Sequence, residues 1–419
     1  MSRRFWVALH RYAGIYMVVF LVVAGITGSI LAFDPEISDW LNPEYNHVPV
    51  ENGPMLDPLT LRERALAIEP HARIDFVELG KGPGEVSAFF LLPRTDPVTG
   101  KPYKLITSEL YMNPYTGRES ARIDNSDGWP LQRATILRFI FSLHCTLGFG
   151  RIGGILFGVA ALIWTVDCFV GFFLTLPRVA ADGPAAAGAR RPRSSWFARW
   201  APSWRFVWRG KTYRIHYTLH RALGLWLWPL LFVFAVSSVN FNLPELYQPV
   251  MRWLFKSKPM MASMPAAAKP VDEPRIGWRA AAALGKRLAT EEARKRGFGL
   301  HEAVGDIYFT YDPDSGTYSY AAHGDRDIGS RTPSVTVVFD GNTGAPMDAA
   351  FAQGENAGDT FTNWTAAIHG ANVGGLPGRI VVAVIGLLIP LLSVGGIYLW
   401  WKKRGARNTV RALAAEGVR

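Results

Sequence analysis

Apolar residues along this chain gather into four long runs that charges interrupt almost only at their ends. There are 22 residues between Arg11 and Asp34, 26 between Arg151 and Arg178, 23 between Arg221 and Glu245, and 22 between Arg379 and Lys402. About 20 apolar residues in helical geometry cross the hydrocarbon core of a bilayer. The pattern therefore predicts four transmembrane helices, the second carrying a lone acid, Asp167. Between the runs the periodicity shortens. Leu59 to Ile68 predicts a helix, and Arg73 to Leu79, Glu85 to Leu92 and Leu105 to Met112 predict strands. The later stretch repeats the plan, with a helix over Trp278 to Lys295 and strands at Ala303 to Tyr311, Thr317 to Ala322 and Ser334 to Phe339. Each set ends in turn residues, Asn113-Pro114-Tyr115-Thr116-Gly117 and Asp340-Gly341-Asn342-Thr343-Gly344. Glu245 to Phe255 reads as a helix along the outer surface, with Leu246, Tyr247, Val250, Trp253 and Leu254 on one side.

The runs also repeat in detail. LHRYAGIYMVVF from Leu9 and LHRALGLWLWPLLF from Leu219 open two spans, which close at Asp34-Pro35-Glu36 and Leu243-Pro244-Glu245. LHCTLGFGRIGG from Leu143 and IHGANVGGLPGR from Ile368 precede the other two, both as His-x5-Gly-x2-Gly. The chain reads as two tandem copies, about 1–178 and 205–404, each span, outer α+β domain, span. The expected segments are span one (1–34), outer domain one (35–143), span two with its histidine segment (144–178) and a basic linker (179–216). Span three (217–243), outer domain two (244–368), span four with its histidine segment (369–402) and a tail (403–419) complete the chain. The expected fold is a mainly α membrane protein. Copies with two spans each share one orientation, as in transporters built from parallel repeats around a central site.

The formal charge of +11 sharpens the topology. Arg190, Arg191, Arg193, Arg199, Arg205, Arg209, Lys211 and Arg214 crowd the short linker against Asp182, and Lys402-Lys403-Arg404 opens the tail. The positive-inside rule puts both termini and the linker in the cytoplasm and the long segments outside. Basic residues that flank spans are topology signals, so a nucleic-acid partner is not expected; membrane lipid is. The first run is too long for a signal-peptide core and reads as an uncleaved span. Cys145 and Cys168 bracket span two and form no disulfide framework; no Cys-x-x-Cys-His offers covalent haem attachment. Nucleotide, flavin and zinc motifs are absent from the sequence, so an electron source would be another molecule.

The topology sorts the repeated histidines into pairs. His10 and His220 start spans at the inner side, while His144 and His369 precede spans at the outer side. Two imidazoles facing across a cleft are the ligand set of a six-coordinate b-type haem. A single histidine at a membrane boundary is more often a polar interfacial residue, but two facing pairs favour ligation. Arg11 and Arg221 fit haem propionates or ordinary positive-inside anchoring. Gly14, Gly224, Gly148, Gly150, Gly374 and Gly375 suit close approach of a flat macrocycle or plain helix packing. His216, four residues before His220, is a rival inner ligand or a hydrogen-bond partner. Asp167 would carry protons, orient a ligand, or pack through Thr165. Trp400 and Trp401 read as an aromatic belt, and Trp364 as a haem-lining or packing residue. His47, His71, His301 and His323 read as surface residues.

These motifs in this order, with MNPYTGR, FDGNTG and the terminal GIYLWWKKR, make the chain similar to the PepSY-associated transmembrane-helix family, the iron-regulated membrane proteins. The resemblance implies two periplasmic PepSY-like domains, a bacterial inner-membrane location, and two non-covalent haem b groups. It carries His10 and His220 over as inner-haem iron ligands and His144 and His369 as outer ones. The activity implied is reduction of a periplasmic ferric siderophore by an oxidoreductase fed from a cytoplasmic flavoprotein or quinol. No side chain beyond the haem ligands is expected to be catalytic. Two other readings stay open: a haem-free PepSY sensor, and a quinol-linked cytochrome serving another periplasmic acceptor.

Overall fold

The structure is a computed structural model that describes residues 2–124, 133–178, 195–255, 257, 270–301, 307–329, 331, 333, 335–351 and 356–415. The linker residues 179–194, with Asp182, Arg190, Arg191 and Arg193, lie outside these, as do residues 303–306 and 334 of the expected strands.

Helix α1 (Arg3–Leu31) is followed by α2 (Asp34–Leu41) and α3 (Pro43–Asn46), each opened by proline in its first turn, where the missing N–H costs nothing. Asp57 caps α4 (Pro58–Ile68) by accepting from the Thr60 N–H. Strands β1 (Ala72–Arg73), β2 (Phe76–Glu78), β3 (Ser87–Phe90), β4 (Leu92–Pro93), β5 (Thr107–Met112) and β6 (Glu119–Asp124) come next. Then come α5 (Ile136–Thr146), α6 (Gly150–Thr175), α7 (Trp196–Trp200), a 3-10 turn over Ala201–Trp204, α8 (Thr212–Trp226), α9 (Trp228–Asn242) and α10 (Pro244–Phe255). The remainder is α11 (Trp278–Lys295), β7 (Tyr308–Asp312), β8 (Thr317–Ala322), β9 (Val335–Asp340), β10 (Pro346–Phe351), α12 (Ala357–His369) and α13 (Gly375–Ala415).

The chain forms two compact units. One comprises Met1–Ala32, Ile140–Tyr247 and Ile380–Arg419; the other comprises Phe33–Phe139 and Gln248–Arg379. In the first, α1, α6 and the Gly375–Ala406 part of α13 are long and apolar enough to cross a membrane. The third expected span differs. It is broken into α8 and α9, bent by 70° at Leu227. Pro229 sits in the first turn of α9; it has no N–H to continue the ladder, and its ring displaces the carbonyl four residues back. The described residues thus hold three spans, or four if the bent pair counts as one.

The histidine segments of spans two and four are helices of their own, α5 and α12. Tight turns separate them from α6 and α13. Leu147 and Ala371 both have φ of 53°, and Gly150 and Gly375 have φ of 53° and 56°. A Cβ at Gly153 would overlap the Thr146 carbonyl, and one at Gly378 the Val373 carbonyl. The Gly-x2-Gly of the repeat therefore encodes a left-handed turn and a close backbone approach. Gly153→Ala and Gly378→Ala should each destabilise the protein by about 1–3 kcal/mol. Thermal melts of the detergent-solubilised variants would read this; unchanged melts would show that the turn tolerates a methyl.

The second unit contains two apolar cores. One gathers Leu61, Ala65, Ile74, Val77, Phe89, Leu110 and Met112 between α4 and the first strands. The other gathers Ala281, Phe309, Tyr318, Val335 and Phe339 under α11. Separate tandem domains would keep their sheets apart, and here they share one. Strand β2 pairs antiparallel with β7, giving the order β10-β9-β8-β7-β2, while β3-β5-β6 forms its own sheet. Trp278 packs against both cores. The Arg62 guanidinium lies 3.8 Å over its ring, and burial lowers the Arg62 pKa to about 10.

The repeated turns have one mechanism. Asn113 Oδ1 accepts from the Tyr115 and Thr116 N–H groups at 2.8 and 3.0 Å. Asp340 Oδ1 accepts from Asn342 and Thr343 N–H at 2.9 and 2.7 Å. The Thr343 backbone bond comes first among the causes that hold the Asp340 pKa below its usual value. A depressed carboxyl contributes stability above its unfolded value of 3.8 and loses it as pH falls through the folded value. Asp340→Asn, the residue type of the first copy, should leave neutral-pH stability within about 0.5 kcal/mol and flatten its fall below pH 4. Acid titration of the unfolding midpoint checks this.

On α10, Leu246, Val250, Trp253 and Leu254 are exposed while Tyr247 and Met251 are buried. Tyr247, expected among the outward set, lies on the opposite face.

Candidate functional site

Three of the four repeated histidines lie in the membrane-helix unit, His10 on α1, His144 on α5 and His220 on α8. His369 ends α12 in the other unit. Helix packing brings His10 and His220 together, with ring centroids 6.1 Å apart and planes at 59°.

Each ring is held by its Nδ1. Both oxygens of the Asp167 carboxylate lie 2.9 Å from His10 Nδ1. His220 Nδ1 lies 3.0 Å from the Leu392 carbonyl, which can only accept. For His144 the partner is the Thr27 hydroxyl at 3.0 Å. That hydroxyl donates its proton to the Val23 carbonyl at 2.6 Å, so it accepts from His144. Each of these Nδ1 contacts favours the tautomer that carries the proton on Nδ1, with the lone pair on Nε2. A metal-binding histidine is prepared in this way.

Glycines make room for the rings. A Cβ at Gly171 would sit 3.5 Å from the His10 ring, one at Gly396 3.3 Å from the His220 ring, and one at Gly28 2.9 Å from the His144 ring. His144 and His369 stand 225 positions apart, as do Gly171 and Gly396, and Asp167 and Leu392. The internal repeat could have found the glycine pair and the Asp167–Leu392 equivalence. Thr27, working through its hydroxyl, carried no comparable sequence signal. Gly14 and Gly224 face open space with no atom within 4 Å of an added Cβ. Gly148, Gly150, Gly374 and Gly375, expected beside a macrocycle, all have positive φ and serve the turns.

The His10–His220 separation matches the spacing of two imidazoles on one iron. A metal–imidazole bond is about 2 Å long, so two imidazoles on opposite faces of one iron have ring centroids about 6 Å apart. The His216 ring lies 4.7 Å from that of Tyr398, and His216 lines a small cavity together with His220. Arg221 Nη2 donates to the Pro202 carbonyl at 2.5 Å, and its guanidinium lies 5.3 Å from the Tyr217 ring. Arg11 is half-buried on α1. Asp167 is 7% exposed and faces His10, while Thr165 bonds the Ala161 carbonyl. Among the described residues, no three or more His, Cys, Asp or Glu side chains gather as a metal site; a bis-imidazole haem needs two histidines. Lys402 lies over the Trp401 ring at 5.4 Å and Arg404 over Trp400 at 5.5 Å, and Trp364 is part-exposed on α12. Cys145 and Cys168 are free thiols.

A comparison with curated proteins finds no match. The profile of the PepSY-associated TM region matches residues 7–403, a range that includes all four repeated histidines and both long segments. The chain is a multi-pass membrane protein that belongs to the PepSY-associated transmembrane family.

Proposed function

We propose that the protein is an inner-membrane di-haem b reductase. It takes electrons from a cytoplasmic flavoprotein or quinol and delivers them to a periplasmic ferric siderophore. The observation that carries this reading is the His10–His220 pair, set at a two-ligand spacing with both Nδ1 atoms engaged. Bound haem supplies one-electron chemistry between ferric and ferrous iron.

The residues of the chain hold and tune. His10 and His220 ligate the inner group, oriented by Asp167 and the Leu392 carbonyl. His144 and His369 ligate the outer one, with Thr27 fixing the His144 ring. Arg11 and Arg221 stand beside inner ligands, where a cation suits a propionate. The basic linker and both termini face the cytoplasm, and the shared-sheet unit faces the periplasm and meets the substrate. Each electron delivered converts one chelated Fe(III) to Fe(II). Hard oxygen donors hold the smaller charge less well, and the iron is released.

A reduced-minus-oxidised spectrum of the purified protein should show b-type bands for two haems per chain. Stopped-flow mixing of the reduced protein with ferric siderophores should oxidise it faster than mixing with quinone analogues. A spectrum without b bands would leave a haem-free sensory protein. Oxidation by quinones alone would leave a cytochrome serving another acceptor.

A further inference from the structure

The two halves of the inner site are not chemically equal. At positions related by the 225-residue repeat, one half places the Asp167 side chain and the other the backbone carbonyl of Leu392. Each accepts from the Nδ1–H of its neighbouring histidine, at 2.9 Å for His10 and 3.0 Å for His220. The glycine one turn further on, Gly171 or Gly396, is the same in both halves and packs against the same ring carbon. Only the acceptor differs, neutral on one side and a buried carboxylate on the other. A buried acid within a span is costly and persists where it has a use.

We propose that Asp167 is a positioning residue that lowers the potential of the inner haem by giving His10 partial imidazolate character. The inference rests on the di-haem reading above. A carboxylate accepting from Nδ1–H raises the basicity of Nε2, and a more basic axial ligand stabilises ferric over ferrous iron. Its negative charge, poorly screened in this interior, acts with the same sign. The outer ligand His144 has a neutral hydroxyl, that of Thr27, against its Nδ1. The inner haem is therefore the stronger reductant, and electrons run downhill from the cytoplasmic to the periplasmic side.

The test is a potentiometric titration of the full-length protein, wild type and Asp167→Asn, read in the visible bands and by electron paramagnetic resonance of the ferric state. The amide keeps a hydrogen-bond acceptor and loses the charge. Expected is full haem content, with one couple raised by about tenfold in its Fe(III)/Fe(II) ratio, about 59 mV, and an altered ferric signal for that haem alone. Asp167→Glu, which keeps the charge on a longer stem, should fall between wild type and Asp167→Asn. Haem-replete Asp167→Asn with both couples unmoved overturns the inference and leaves the di-haem reading intact. A wild type without haem overturns both. If Asp167→Asn loses a haem, the neutral Asp167→Gln decides: a couple above wild type supports the proposal, and one at the wild-type value overturns it.

Discussion

Replacing His220 with alanine should remove about one haem of the two, whereas replacing His216 should leave both in place. The two histidines stand one helical turn apart on α8, so composition alone cannot rank them. Their surroundings do. His220 faces His10 at 6.1 Å and has its Nδ1 on the Leu392 carbonyl, while His216 rests against Tyr398. A haem held between His10 and His220 would lose one of its two protein ligands and be held weakly. His10→Ala should match His220→Ala, and the double variant should be no worse than either alone, since both act on one haem. The measurement is haem b per protein by pyridine haemochrome. Two haems retained in His220→Ala, with one lost in His216→Ala, would reassign the inner ligand.

The second large effect lies in the unit that contains Trp278. Trp278→Ala should cost the second unit about 3–5 kcal/mol, most of the stability of an ordinary domain. Trp278 packs against both apolar cores. It meets Phe309 and Tyr318 edge-on at 5.3 and 5.6 Å, and Arg62 covers its face. Removing it opens a cavity where the first outer segment meets the second, and leaves the half-buried Arg62 guanidinium without its aromatic partner. Limited proteolysis of membranes carrying the variant should cleave the outer segments rapidly while the spans stay protected. Trp278→Phe, which keeps an aromatic anchor, should recover most of the resistance. Equal resistance of Trp278→Ala and wild type would mean that the shared sheet holds the two segments without it.

The sequence by itself determined the apolar runs, the repeated motifs and many helices and strands of the long segments between them, though not α2, α3, β6 and β10. These depend on local periodicity, which is written residue by residue. Helix α11 and strand β8 lie at Trp278–Lys295 and Thr317–Ala322 as expected. It also marked His10, His144, His220 and His369, because a duplicated chain states its unusual residues twice. Tertiary structure decided what depends on groups distant in sequence. The pairing of β2 with β7 joins residues more than two hundred positions apart, and hydrophobic alternation says only that a strand has an inner face, never which edge it meets. The 70° break at Leu227 follows from Pro229, but in a run this apolar a proline is compatible with either a kink or a clean bend, and packing chose the latter. Which residue Asp167 meets is decided by the packing of α1 beside α6, which sets the carboxylate against His10. The Leu392 carbonyl is marked in sequence only by its place in the repeat, since every residue carries a carbonyl and only the fold brings this one to His220.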